Sequence, residues 1–336
     1  MKIHSDIFDF IDSYDAFLID VYGVLFNGVR LYEKTLETLS ELKKLGKTVI
    51  ILSNTTELSN QAQIGYSRRG LIKDTHYDQF VTSGEFVHQS ISQSTDVLVQ
   101  ASGQSMNTVK CLFMGNGEIF QNTAVRKVDD IDDADFLYVG VPRSNTAICL
   151  DDVIDENGNY VDIEHILDVD WHTTTSSHGF CGLQEIVHNL EVCLERKKVL
   201  LVANPDIFAY SGINGVSHPI LTQGGVGYYY EKMGGKVVYF GKPYKGIFDF
   251  AKSFVPKDRR IAMIGDTPWT DVCGANNADL DSILVTTGIP SAFAINMKDV
   301  QESEMDYLIN SISPRMNHSH MSNVVPTHVI RRFARI

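Results

Sequence analysis

The sequence of 336 residues is 43% hydrophobic, 21% charged and 10% aromatic, an ordinary globular composition. At ~100–200 residues per domain this length predicts two domains, each large enough to bury a core without a metal or disulfide staple. Lys and Arg number 29 against 42 Asp and Glu, a net charge of −13. A chain this acidic is poorly suited to hold a polyphosphate backbone by bulk electrostatics, so no nucleic acid partner is expected. No apolar run reaches the ~18 residues of a membrane span, and no membrane partner is expected. Met1 to Asp6 lacks a basic segment followed by an apolar run, so a secretory leader is not expected. The five cysteines, Cys111, Cys149, Cys181, Cys193 and Cys273, are odd in number and have no CxxC spacing. They read as reduced, buried thiols of a cytoplasmic protein.

In chain order, short β-branched apolar runs alternate with helical patterns. Strands are predicted at Ala16 to Val21, Thr48 to Leu52, Phe136 to Val141, Lys198 to Ala203, Lys236 to Phe240, Arg260 to Ile264 and Ser282 to Thr286. Between the first two, Leu36, Leu39 and Leu42 recur at a helical spacing over Tyr32 to Leu42, and Gly46 closes that helix. Strand–helix–strand repetition with little polar alternation predicts an α/β fold, a parallel sheet covered by helices on both faces. Asp151 to Tyr160 and Ser313 to Ser322 read as linkers, and the polar, helix-poor Asp170 to Gly182 as an exposed loop.

Four polar spots follow predicted strands, where doubly wound sheets bind ligands. Asp20 ends the first apolar run; a carboxylate there is either a turn residue or a nucleophile and hard-metal ligand. Ser53 and Asn54 end the second, as a helix N-cap or as partners for phosphate oxygens. Lys242, in Gly241-Lys242-Pro243, is a solvated lysine or a point charge for phosphate. Asp266 and Asp271 flank a tight loop after Ile264, as capping residues or as a Mg²⁺-binding pair.

The order of these spots favours the chemical readings together. Asp20 to Leu25, Ser53-Asn54, Asn204-Pro205-Asp206, Gly241-Lys242-Pro243 and Gly265 to Asp271 resemble the motif order of the haloacid dehalogenase superfamily, and its class IIA branch of NagD and p-nitrophenylphosphatase-like enzymes most of all. Thr82-Ser83-Gly84 is similar to the family's passage into its cap, and Pro326 to Ile330 to its closing strand. The resemblance is thin from Asp151 to Leu190. It implies a Rossmann-like core over 1–83 and 207–336, interrupted by an α/β cap over 84–206. It also implies a Mg²⁺-dependent phosphatase for a small phosphorylated metabolite, a sugar or nucleotide phosphate. Asp20 would be the nucleophile. Asp20, Asp266 and the main-chain carbonyl of Tyr22 would hold Mg²⁺, with Asp271 supporting the metal or orienting Lys242. Ser53, Asn54 and Lys242 would neutralise the phosphoryl oxygens. The cap would select the substrate, and a homodimer is left open.

One position departs from the pattern. The family's general acid and base is a second Asp, and here it is Tyr22. A phenol with a pKa of about 10 can donate a proton but is a poor base at pH 7. The alternative function is therefore a catalytically weak binder of phosphoryl ligands. His172, His178 and Cys181 are either a polar surface loop or a cap-borne proton source, substrate contact or metal cluster. His318 and His320 read as solvated. Tyr228-Tyr229-Tyr230, after the glycines at 224, 225 and 227, reads as the core-packing start of a helix.

Overall fold

The computed structural model describes residues 3–93, 96, 109–114, 118–140, 183–213, 216–287 and 324–335. The strands β1 (Ile3–His4), β2 (Ala16–Ile19), β3 (Thr48–Ser53) and β4 (Gln79–Thr82) come first, with helix α1 (Thr35–Lys44) before β3 and α2 (Ser59–Ser67) before β4. Helix α3 (Ser83–Gln93) then leads to β5 (Val109–Met114), β6 (Val125–Val128) and β7 (Phe136–Val139). Helix α4 (Leu183–Glu195), β8 (Val199–Val202), the hairpin β9 (Phe208–Ile213) and β10 (Val216–Leu221), α5 (Gln223–Lys232) and β11 (Lys236–Tyr239) follow. The chain returns through α6 (Lys245–Lys252), β12 (Ile261–Gly265), α7 (Cys273–Asn277), β13 (Asp281–Val285) and β14 (His328–Ile330).

The first sheet has the order β1-β14-β13-β12-β2-β3-β4 and is parallel throughout. Its strands are apolar on both faces because both are covered. Phe17, Ile19, Val49, Ile51 and Ile264 face one layer, with Leu39 and Leu42 of α1 and Ala62 of α2. The intervening Leu18, Ile50, Leu52 and Met263 face the other, with Ile247, Phe248 and Ala251 of α6. The expected α1 begins later than the leucine spacing suggested. It still buries Leu39 and Leu42, and Gly46 follows its end with φ of +74°, a conformation glycine adopts without steric cost.

The second sheet is also parallel, in the order β11-β8-β7-β5-β6. Val87 and Ile91 of α3 cover one face against Cys111, Phe136, Tyr138 and Leu201. Leu190 and Cys193 of α4, with Val226 and Tyr230 of α5, cover the other. Lys236 to Tyr239 pair with Val199 to Val202, and α5 packs on the same sheet, so the second sheet reaches past residue 207 to Tyr239. The apolar pattern of β11 is the same for a strand of either sheet, and only its pairing partner assigns it. The tyrosines after the glycines do start α5, where Tyr230 is buried. Cys111, Cys193 and Cys273 are buried free thiols. Among the described residues no helix is long and apolar enough to cross a membrane. The expected linkers and loop at 151–160, 170–182 and 313–322, with His172, His178, His318, His320, Cys149 and Cys181, lie outside the described residues.

Candidate functional site

Strands β2, β12 and β3 lie side by side, with Ile19 in register with both Ile264 and Ile51. The chain builds the sheet outward from β2 on one side and from β12 on the other, so the crevice beyond their carboxyl ends is the switch point of the fold. Asp20, Ser53 and Asp266 leave the sheet there. The Asp20 amide donates to the Ile264 carbonyl at 2.9 Å, which seats the carboxylate beside β12. Asp271 reaches the crevice from a π-helical turn, Pro268–Val272.

Two glycines admit these carboxylates. Gly23 turns with φ of +80°, and a Cβ on it would stand 2.0 Å from Asp266 Oδ2. A Cβ on Gly265 would stand 2.1 Å from Asp271 Cγ. The Thr267 amide donates to Asp271 Oδ2 at 3.1 Å, and the Thr267 hydroxyl donates to Asp266 Oδ1 at 3.1 Å. Both carboxylates are thereby aimed before any ligand arrives.

Asp20, Asp266 and Asp271 converge, with one ligand atom of each lying within 4.8 Å of the others. That is near the ~4.2 Å that opposite oxygens span across a hexacoordinate ion with ~2.1 Å bonds. Lys242 Nζ sits in the same cluster, 2.7 Å from Asp20 Oδ1 and 2.7 Å from Asp271 Oδ1. Burial pushes the Asp20 carboxyl well above the usual range, aided by Asp271 and Asp266 and opposed by Lys242. Burial alone would lower Lys242, but the charges of Asp20, Asp271 and Asp206 outweigh it and hold the ammonium above its ordinary value. Buried carboxylates in excess of the one buried ammonium are costly unless a cation joins them. Three hard oxygen donors fit Mg²⁺.

Ser53 lies at the end of β3, buried, with its Oγ accepting a weak bond from the Thr55 amide at 3.3 Å. Asn54 is bonded to Asp206 and to the Lys242 backbone. Its Oδ1 accepts from the Lys242 amide at 2.8 Å, and its Nδ2 donates to Asp206 Oδ1 at 3.0 Å and to the Lys242 carbonyl at 3.1 Å. Both hydrogens of the amide are used, so the side chain has none left for a phosphate oxygen. In this arrangement the Asn54 side chain clamps the Lys242 backbone.

Tyr22 is 36% exposed, and its ring meets Phe26 edge-on at 5.4 Å. Its hydroxyl hydrogen-bonds the Tyr66 hydroxyl, and burial of that end raises the phenol above its ordinary value. Tyr66 comes from α2, stacks at 5.6 Å on Phe80, and carries the Arg69 guanidinium 5.8 Å above its ring. No local pattern in the sequence pairs Tyr66 with Tyr22. Thr267, Gln223 and the partner of Asp206 were likewise not readable, although Thr267 adjoins a carboxylate that a hydroxyl could orient. Burial raises Asp206 to about 6, opposed by Lys242 and the bond from Asn54.

A sequence profile of haloacid dehalogenase-like hydrolases matches residues 17–121, and one described as HAD-hydrolase-like matches residues 239–313. The first segment contains Asp20, Ser53 and Asn54, and the second Lys242, Asp266 and Asp271. A 4-nitrophenylphosphatase of Schizosaccharomyces pombe is 24% identical over 313 residues, covering 91% of this chain and 94% of that protein. The fold is shared with a haloacid dehalogenase-like hydrolase of Brucella suis at a TM-score of 0.65 and 20% identity, covering 98% of this chain and 99% of the other. It is also shared with a HAD superfamily protein of Cytophaga hutchinsonii, described as a possible sugar phosphatase, at a TM-score of 0.66 and 19% identity, covering 100% and 99%. With the two matched segments carrying the convergent carboxylates and the lysine between them, the chain belongs to the haloacid dehalogenase-like hydrolases.

Proposed function

We propose that the chain is a Mg²⁺-dependent phosphatase that hydrolyses a small phosphorylated metabolite, a sugar or nucleotide phosphate, through an aspartyl phosphate on Asp20. The observation that carries this reading is the buried cluster in which Lys242 bridges Asp20 and Asp271 while Asp266 converges on both. A carboxylate oxygen of Asp20 attacks phosphorus, the ester P–O bond breaks, and the leaving oxygen takes a proton. Water then cleaves the acyl phosphate, releasing phosphate and restoring the carboxylate. Asp20, Asp266, Asp271 and the main-chain carbonyl of Tyr22 would hold Mg²⁺, which supplies charge neutralisation for the transferring phosphoryl group. Ser53 and Lys242 hold the equatorial oxygens. Phosphoryl transfer depends mainly on such positioning and charge. The second sheet with its helices serves as the cap that reads the leaving group, and the buried thiols suit a cytoplasmic setting.

Position 22 favours a second reading, a slow enzyme that mainly binds phosphoryl ligands, because a phenol stands where a carboxylate would manage the proton. A panel of phosphorylated metabolites, with released phosphate measured with and without Mg²⁺, separates the two. Mg²⁺-dependent release that disappears in Asp20→Asn supports the phosphatase. Release retained in Asp20→Asn refutes the aspartyl phosphate. Tight Mg²⁺-dependent binding without release supports the binder.

A further inference from the structure

We infer that Asp206 and Asn54 form a relay through which the inserted sheet sets the position of Lys242 against Asp20. Both are positioning residues. The inference rests on the reading of Asp20 and Lys242 as the reacting pair.

Asp206 is fixed by the inserted unit. Its amide donates to Asn204 Oδ1 at 2.9 Å, and its carbonyl accepts from the Gly224 amide at 3.1 Å and from the Thr222 hydroxyl. The amides of Ala203 and Asn204 donate to Gln223 Oε1 at 3.1 and 3.0 Å. Gln223 Nε2 donates in turn to the carbonyl of Val139, the last residue of β7. The turn after β8 is therefore tied to the end of β7 and the start of α5.

From this turn the carboxylate of Asp206 reaches across to Asn54, 152 residues earlier, and accepts its Nδ2 at 3.0 Å. The same Asn54 amide grips both the N–H and the C=O of Lys242, and Lys242 carries its ammonium to two carboxylates at 2.7 Å each. The passage out of the first sheet is anchored here too, since the Ser83 hydroxyl donates to the Asn54 carbonyl at 2.8 Å. Asn54 thus joins both crossings between the two sheets. A shift of the turn at Asp206 has to move Asn54 or break its bond, and Lys242 follows in either case. Displacing a charge-stabilising group by ~1 Å costs on the order of 10²-fold in rate.

The test has two arms. With the best substrate of the panel, Asp206→Ala and Asn54→Ala should each lower kcat by ~10–100-fold while KM changes less than ~3-fold. The double variant should be no worse than Asn54→Ala, because the two act as a unit. Asp206→Asn keeps an acceptor for Asn54 and should restore most of kcat. Additive losses, or a failure of Asp206→Asn to rescue, overturn the relay. In the second arm, hydrogen exchange read by NMR follows the Lys242 amide without substrate. Asp206→Ala should speed it by ~10-fold or more while Met263 and Ile264 in β12 stay protected. If Asp206→Ala does not fold, Asp206→Val, which withdraws the acceptor, takes its place. An unchanged Lys242 amide overturns the relay whether or not any ester is hydrolysed. A wild type that hydrolyses nothing but shows the exchange effect keeps the relay and overturns only the phosphatase.

Discussion

At position 22 the backbone and the side chain have separate tasks. The backbone turns between Asp20 and Gly23, and the proposed metal contact is its main-chain carbonyl, which any residue type supplies. The side chain decides how protons move; its hydroxyl bonds Tyr66, and the Asp20 charge adds to the rise of its pKa. Aryl and acyl phosphates need little protonation of the leaving group, so the wild type should turn them over faster than alkyl phosphates. Tyr22→Asp should raise turnover of alkyl phosphates by up to ~10²–10⁴-fold, the usual worth of a placed acid and base. Tyr22→Ala is the control for the space the ring vacates. A wild type that already hydrolyses an alkyl phosphate at ~10 s⁻¹ would show that the proton comes from elsewhere.

At the scale of elements, the edge of the first sheet depends on pH. Strand β14 carries His328, which stacks on Phe10 at 4.3 Å, lies 5.3 Å from His4 of β1, and places Nε2 3.2 Å from the Tyr14 hydroxyl. Tyr14 donates to Asp281 of β13 at 2.9 Å. Burial lowers the His328 pKa below its ordinary 6.5, as does His4, while Asp281 opposes. A depressed folded pKa means that the unfolded state binds the proton more readily. The stability contributed by neutral His328 is therefore present above pH 6.5 and is lost as pH falls through the lower folded value. Amides of Val329 and Ile330 should lose protection between pH 7 and 5.5, after correction for intrinsic exchange, while Ile50 and Ile264 keep theirs. His328→Gln should abolish the difference. An equal loss at central and edge strands would point to global unfolding instead.

For the whole molecule, a net charge of −13 with buried carboxylates at the crevice predicts that a bound cation stabilises the fold. A ligand that binds only the folded state stabilises it by ~2.7 kcal/mol at ~100 times its Kd. Mg²⁺ should therefore raise the unfolding midpoint by several degrees, and EDTA should reverse it. Asp266→Asn should lose most of the Mg²⁺ response. A wild type indifferent to Mg²⁺, or an Asp266→Asn variant that responds as fully, would remove the metal from this site. The two parallel sheets are joined at Asn54, so the same measurement on Asn54→Ala separates the stability of the junction from that of the metal site.

The sequence by itself determined the α/β class, the central strands and the carboxylates at their ends. These are local properties: an apolar run long enough for one strand, followed by a polar residue that cannot stay in the core. The resemblance implied that Asp271 orients Lys242 or supports the metal, leaving the choice between them open. The tertiary structure supplied one of these contacts, an ion pair between Lys242 and Asp271. It alone decided what required distant partners. Lys236 to Tyr239 joined the inserted sheet because Val199 to Val202 paired with it. Asn54 became a clamp because Asp206 and the Lys242 backbone consumed its hydrogens. The Tyr22 hydroxyl went to Tyr66 because α2 brought that residue alongside. A side chain's chemistry is written in its residue type, but whether its donors remain free depends on neighbours that only folding supplies.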